Sequence, residues 1–188
     1  MAGRESEVVE RYLALLRGIN VGGKALVKMD ELRTAVGALG HRDVRTYIAS
    51  GNVLFTSTVR PTVELEGDLE EALAASLGLS LQVAVRSRGE LANLVAAIPD
   101  SWRHDRSLRV NIAFLMHGVD GISVVRGLRP RAGVDELVTL PGAIGWSTPR
   151  SALTRTGMKS LVAHPDYKRV TVRSLATTLK LAELIGDR

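Results

Sequence analysis

The sequence predicts an α+β protein of two ferredoxin-like (β-α-β-β-α-β) halves related by duplication, with mainly antiparallel sheets. Three observations carry this. Residues 12–16 and 110–116 are apolar runs with the composition of strands buried on both faces. Each run is followed by a helical stretch, two β-rich segments around a glycine turn, a further helix and a further strand. Finally, a polar segment, residues 99–106, separates the two series, leaving halves at 8–98 and 107–188.

In the first half, the apolar run 12–16 ends at Arg17-Gly18 and reads as the opening strand. Residues 28–39 carry Met29, Leu32, Val36 and Leu39 at helical spacing, with Asp30 and Glu31 suited to the positive end of the helix dipole and Gly40 as a stop. Residues 43–49 and 52–57 alternate around Ser50-Gly51 and predict a hairpin. Residues 64–77 form an amphipathic helix ending at Gly78, residues 81–86 a strand, and residues 90–98 a helical piece. The second half repeats the order. Strand 108–116 leads to a helix at 120–128, then to a hairpin of 134–140 and 143–147 around Pro141-Gly142. A helix at 151–163, a strand at 169–172 and a helix at 175–185 close the chain. The residues of the two halves do not visibly align, so the repeat is one of element order.

A split β-α-β unit with right-handed crossovers sets its first two strands parallel, with the third strand antiparallel between them. The loop after the first strand and the hairpin turn then fall at the same end of the sheet. Residues 17–28 and 50–52 should therefore converge. Helices cover only one face of such a sheet, so the other face needs packing of the halves or a homo-oligomer contact.

The 188 residues are 45% apolar, enough for a real core. The absence of cysteine excludes a disulfide framework and any thiolate metal site, and fits a reducing compartment. The polar, mixed-charge opening is no signal peptide, and no apolar run approaches the roughly 18 residues of a membrane span. The expectation is a soluble, cytoplasmic protein without membrane contact. The net charge of +5 lies wholly in the second half: residues 1–89 hold 11 cations against 11 acids, residues 90–188 hold 14 against 9. A basic balance invites a polyanion. The second basic region, Arg150, Arg155, Lys159, Arg173 and Lys180, is where one would bind, although arginine-rich composition also accounts for it.

The segments RGINVGGKALVKMDELR, VRTYIASGNVLFTS and VAVRSRGEL, within residues 12–91, resemble the bacterial domain of unknown function 1697 family (DUF1697). That family's pattern is an ALLRGINVGG opening, a lysine-methionine helix start, a YIxSGNVxF hairpin and a VRS strand end. In the C-terminal half Arg173, Thr177, Lys180 and Leu181 keep its pattern, whereas its asparagine and tryptophan are absent and its serine-lysine-leucine is Ser151-Ala152-Leu153. The resemblance implies two similar α+β halves and no settled activity.

Gly18 to Lys24 fits the first seven positions of a phosphate-loop pattern, GxxxxGK. Ala25 then replaces the magnesium-holding hydroxyl, and Ala25-Leu26-Val27 separate the loop from its helix, so nucleotide hydrolysis is not indicated. A glycine-rich turn explains the segment, and its cations could also hold an anion without hydrolysing it. The candidate ligand-binding set is Arg17, Asn20, Lys24, Lys28, Ser50 and Asn52. The four histidines share no metal spacing, and the carboxylates of residues 64–71 read as a solvated helix face. The seven aromatics, Tyr12, Tyr47, Phe55, Trp102, Phe114, Trp146 and Tyr167, mostly sit inside apolar runs, which disfavours base stacking. No cofactor or metal is implied, and no catalytic residue can be named. The preferred reading is a non-enzymatic module for an anion, either a phosphate-bearing small molecule or a nucleic-acid backbone. The alternatives are an enzyme acting on a phosphorylated or carboxylated small molecule, and a protein-interaction module.

Overall fold

The computed structural model describes residues 8–20 and 26–187. The chain forms two compact units, one ending at Arg88 and the other beginning at Gly89. Each contains one four-stranded antiparallel sheet.

The first unit runs β1 (Val9–Leu16), α1 (Met29–Gly37), β2 (Arg42–Thr46), β3 (Asn52–Thr58), α2 (Thr62–Leu77) and β4 (Val83–Ser87). Its sheet order is β2-β3-β1-β4, with β3 antiparallel between the first two strands, as a split β-α-β unit requires. Alternation along β1 sends Tyr12, Ala14 and Leu16 to one face, where they join Leu32 and Val36 of α1 and Leu65, Leu69 and Leu73 of α2. Leu13 and Leu15, pointing the other way, are fully buried as well.

Two expectations change in this unit. The second strand stops at Thr46, not 49, because the hairpin turn is longer than Ser50-Gly51. The amide of Tyr47 bonds the carbonyl of Asn52 at 3.0 Å, and the intervening residues fold with Ile48 at φ 48° and Gly51 at φ 75°. A Cβ on Gly51 would lie 2.9 Å from Leu16 Cβ, so the turn needs glycine for close approach as well as for φ. The acidic face of α2 is not simply solvated either. Glu66 is buried, its Oε1 accepting the Val85 amide at 2.9 Å, and Glu70 Oε1 accepts the Val83 amide at 2.9 Å. Since β4 is an edge strand, its outward amides would otherwise go unpaired.

The second unit, which takes in all but the first residue of α3 (Arg88–Ala96), continues with α4 (Asp100–His104), β5 (Leu108–Leu115), α5 (Gly121–Gly127), β6 (Glu136–Leu140) and β7 (Ala143–Pro149). A 3-10 helix (Arg150–Arg155), α6 (Lys159–Val162), a second 3-10 helix (Pro165–Arg169), β8 (Val170–Ser174) and α7 (Leu175–Gly186) follow. Its sheet order is β6-β7-β5-β8, the same permutation as in the first unit. The segment expected as a polar linker contains α4, whose Trp102 is buried. The helix expected over 151–163 is two short pieces parted at Gly157. There the Gly157 amide donates to Asp135 at 2.7 Å, and a Cβ would sit 1.9 Å from the Arg129 carbonyl oxygen, so the backbone is pinned where a continuous helix would need it to turn.

The halves also share residues, contrary to the sequence reading. β4 is VAVRS and β8 is VTVRS, with Arg86 opposite Leu13 and Arg173 opposite Ile112 in the same sheet position. Equivalent amides close both units: Leu16 to Gly51 at 2.8 Å and Leu115 to Gly142 at 3.0 Å, Arg17 to Gln82 at 2.9 Å and Met116 to Arg169 at 3.0 Å.

Candidate functional site

Two places bring together polar groups that the sequence scatters. The first is the end of the first sheet, where the loop after β1 meets the β2–β3 turn. Asn20, at φ 54°, donates its side-chain amide to the carbonyls of Val27 at 3.0 Å and Ala49 at 2.9 Å, while its Oδ1 accepts the Val27 amide at 2.9 Å. One side chain thus closes its own loop and ties it to the hairpin. Asn52 is fully buried, donating to the Tyr47 carbonyl and to Ser50 Oγ, both at 2.9 Å. The two asparagines therefore build this end of the sheet, and the amide hydrogens engaged in these bonds are committed to the protein's own acceptors. Lys28 is highly exposed and sits 3.5 Å from Glu31 in the first turn of α1. Arg17 is half-buried and its backbone amide holds Gln82. Lys24 and residues 21–25 as a whole lie outside the described residues.

The second place is a cleft of about 380 Å³ within the second unit. Its apolar wall is Trp102, Leu108, Val110, Leu175 and Leu179, and its charged rim is Arg103, Arg106, Arg109 and Arg150. Chain geometry explains the gathering. α4 and the turn after it deliver Arg103 and Arg106, the exposed start of β5 delivers Arg109, and the end of β7 returns Arg150 beside them through the pairing of Leu108 with Pro149. The Arg150 amide then bonds the Ser107 carbonyl at 2.8 Å and its Nε bonds the Arg106 carbonyl at 3.1 Å. The amino-terminal turn of α7, with Ser174 as its cap, opens on the same cleft and adds the positive end of a helix dipole.

The charges of this rim are unequal. Arg103 is held by the Val95 carbonyl and lies 3.5 Å from Asp100. Among the described residues Arg106, Arg109 and Arg150 form no ion pair. Asp105, the one acid in the lining, spends Oδ1 on the Ser107 hydroxyl at 2.6 Å and the Ser107 amide at 2.8 Å, bonds that hold its carboxyl below the usual range. The cleft is therefore cationic, with three guanidinium groups that no carboxylate among the described residues neutralises.

The remaining predicted cations serve in other ways. Arg173 is buried, with Nη1 on Thr171 Oγ1 at 2.9 Å and on the Val172 carbonyl at 3.0 Å, and burial lowers its pKa to about 10. Lys180 binds Glu183 at 2.6 Å, and Arg155 and Lys159 are exposed. Of the second basic region only Arg150 belongs to the cleft. Sequence reading missed Arg103, Arg106 and Arg109, which lay in or next to the segment taken for a linker. The available signal was three arginines at three-residue spacing beside Trp102 and Leu108.

Two histidines are structural. His41 tilts against Phe55 at 4.5 Å, with burial first and then Arg60 lowering its pKa. His164 Nδ1 accepts the Asp166 amide at 3.1 Å. Among the described residues no group of three or more potential ligands is placed to hold a metal ion, and no helix is long and apolar enough to cross a membrane.

Comparison with known proteins agrees with the fold. A family model described as "Protein of unknown function (DUF1697)" matches residues 9–144. Among solved structures, the chain is similar to the conserved bacterial protein SP0830 from Streptococcus pneumoniae, at 30% identity and a TM-score of 0.84. The match covers 95% of this chain and 99% of that one. No curated protein matches the chain.

Proposed function

The chain belongs to the DUF1697 family, and we propose that it is a binding module for an anion, held in the arginine-rimmed cleft of the second unit. The observation that carries this is the set Arg106, Arg109 and Arg150 around a concave site, with no carboxylate partner among the described residues. Guanidinium forks suit the paired oxygens of phosphate and carboxylate, and a concave wall of low polarity strengthens each contact. The volume of about 380 Å³ lies in the small-molecule range of roughly 300–1,000 Å³.

A second reading uses the end of the first sheet, where the sequence places a ligand against Arg17, Asn20, Lys24, Lys28, Ser50 and Asn52. The link from Asn20 to Ala49 supports convergence of the two segments. The commitment of the Asn20 and Asn52 amides to the protein's own acceptors makes this the weaker site.

Titration of the full chain with a panel of nucleotides, sugar phosphates and a short single-stranded oligonucleotide, at low and moderate salt, tests the proposal. Saturable binding that weakens at least about tenfold in an Arg106→Ala/Arg109→Ala/Arg150→Ala variant is expected. A variant in Arg17 and Lys28 should bind like the parent. Binding indifferent to the three cleft arginines would refute the assignment, and loss in the Arg17 and Lys28 variant would move the site to the first unit.

A further inference from the structure

We infer that the cleft selects an organic phosphate monoester, a phosphate carried on an apolar body, over free inorganic phosphate or a nucleic-acid backbone. The inference rests on the anion-binding reading above and adds the chemistry of the other end of the ligand.

The cleft is two-sided in composition. Guanidinium groups occupy its rim, while the half-buried Leu108 and Leu179 present an apolar wall backed by the buried Trp102, Val110 and Leu175. A bare phosphate would be satisfied by the rim alone and would leave that wall against water. Burying apolar ligand surface there is worth about 25 cal/mol per Å², so a ligand with both parts uses the whole site.

The wall is also rigid. Trp102 is 2% exposed, its Nε1 donates to Glu136 Oε2 at 2.9 Å, and its ring edge lies so close to Gly145 that a Cβ there would sit 2.7 Å from Cζ3. A fixed wall loses little freedom when a ligand seats against it.

The same features disfavour a nucleic-acid backbone. Stacking needs an exposed aromatic face, and the cleft's single aromatic is almost completely covered. Phosphate is preferred to carboxylate at the rim because three guanidinium groups without a carboxylate partner among the described residues line it. A dianion with three terminal oxygens can engage all three, whereas a carboxylate offers two oxygens and one charge.

Calorimetric titration of the full chain with inorganic phosphate, phenyl phosphate, benzoate and a short oligonucleotide at low salt tests this. Phenyl phosphate should bind at least about tenfold more tightly than each of the others, consistent with some 1.4 kcal/mol of added apolar burial. Leu179→Asn and Leu179→Ser, which make the cleft wall polar, should remove that advantage. In each variant phenyl phosphate should lose more affinity than inorganic phosphate does, because only the former uses the wall. Circular dichroism checks that each variant folds, and either one alone suffices. Equal affinity for inorganic and phenyl phosphate overturns this inference and leaves the anion site standing. Preference for benzoate or the oligonucleotide overturns it as well, and no binding by any probe removes both.

Discussion

The side-chain amide of Asn20 donates to the carbonyl of Ala49 at 2.9 Å, across 29 residues of sequence, and thereby fastens the loop after β1 to the β2–β3 hairpin. The same amide group serves Val27 on both sides, accepting its N–H and donating to its carbonyl. A non-glycine residue at φ 54° is tolerated here because asparagine is among the few side chains that enter the left-handed region readily.

Replacing that residue should be costly. Asn20→Ala removes three hydrogen bonds and places alanine in a left-handed conformation, for an expected loss of about 2–3 kcal/mol. Asn20→Asp should do worse, since a carboxylate would face the Ala49 and Val27 carbonyls. Urea denaturation checks both. A loss below about 0.5 kcal/mol for Asn20→Ala would mean the bridge is dispensable.

Ile48 offers a gain. It is β-branched, sits at φ 48°, and is 52% exposed, so it bears backbone strain with little burial to offset it. Ile48→Gly is expected to stabilise the protein by about 0.5–1 kcal/mol, the local relief exceeding the added freedom of the unfolded chain. A lower thermal midpoint in the variant would show that the side chain packs more usefully than its exposure implies.

Gly157 should resist enlargement. A methyl group there would come 1.9 Å from the Arg129 carbonyl oxygen, which is backbone and cannot rotate aside. Gly157→Ala is expected to cost about 2–3 kcal/mol or more through displacement of the Arg129 segment and loss of the Asp135 contact. Gly133→Asn makes a suitable control, because nothing lies within 4 Å of a Cβ at that position and its φ of 72° is one asparagine tolerates. Similar losses in the two variants would refute the steric argument.

Asp135 predicts a pH dependence. Burial alone would raise its carboxyl, but donors from Thr156, the Arg131 and Gly157 amides and Thr148 outweigh that and hold its pKa at about 2. Trp146 Nε1 adds a fifth bond at 3.1 Å. Because the folded pKa lies below the unfolded value of 3.8, the stabilisation is fully present above about pH 4 and is lost as pH falls through about 2. Allowing for solvent that still reaches this half-buried group, it amounts to about 1–2 kcal/mol. Stability measured against Asp135→Asn from pH 6 to 2, with Trp146 fluorescence as the probe, should show a gap that is constant above pH 4 and shrinks below it. A gap independent of pH would refute the linkage.

The amino-acid sequence by itself determined the order of the eight strands and the burial of both faces of β1 and β5. It also implied the meeting of the β1 loop with the hairpin turn, because hydrophobic period and crossover handedness are local properties of the chain. It could not disclose that Glu66 and Glu70 serve the edge of β4, since a helical carboxylate looks the same whether it faces water or an unpaired amide. Nor could it show that Gly157 interrupts a helix, or that Arg150 joins Arg106 and Arg109. Those outcomes depend on which backbone groups lie opposite one another once the sheets pair. Strand register, a relationship between distant segments, decided the charge and shape of the cleft.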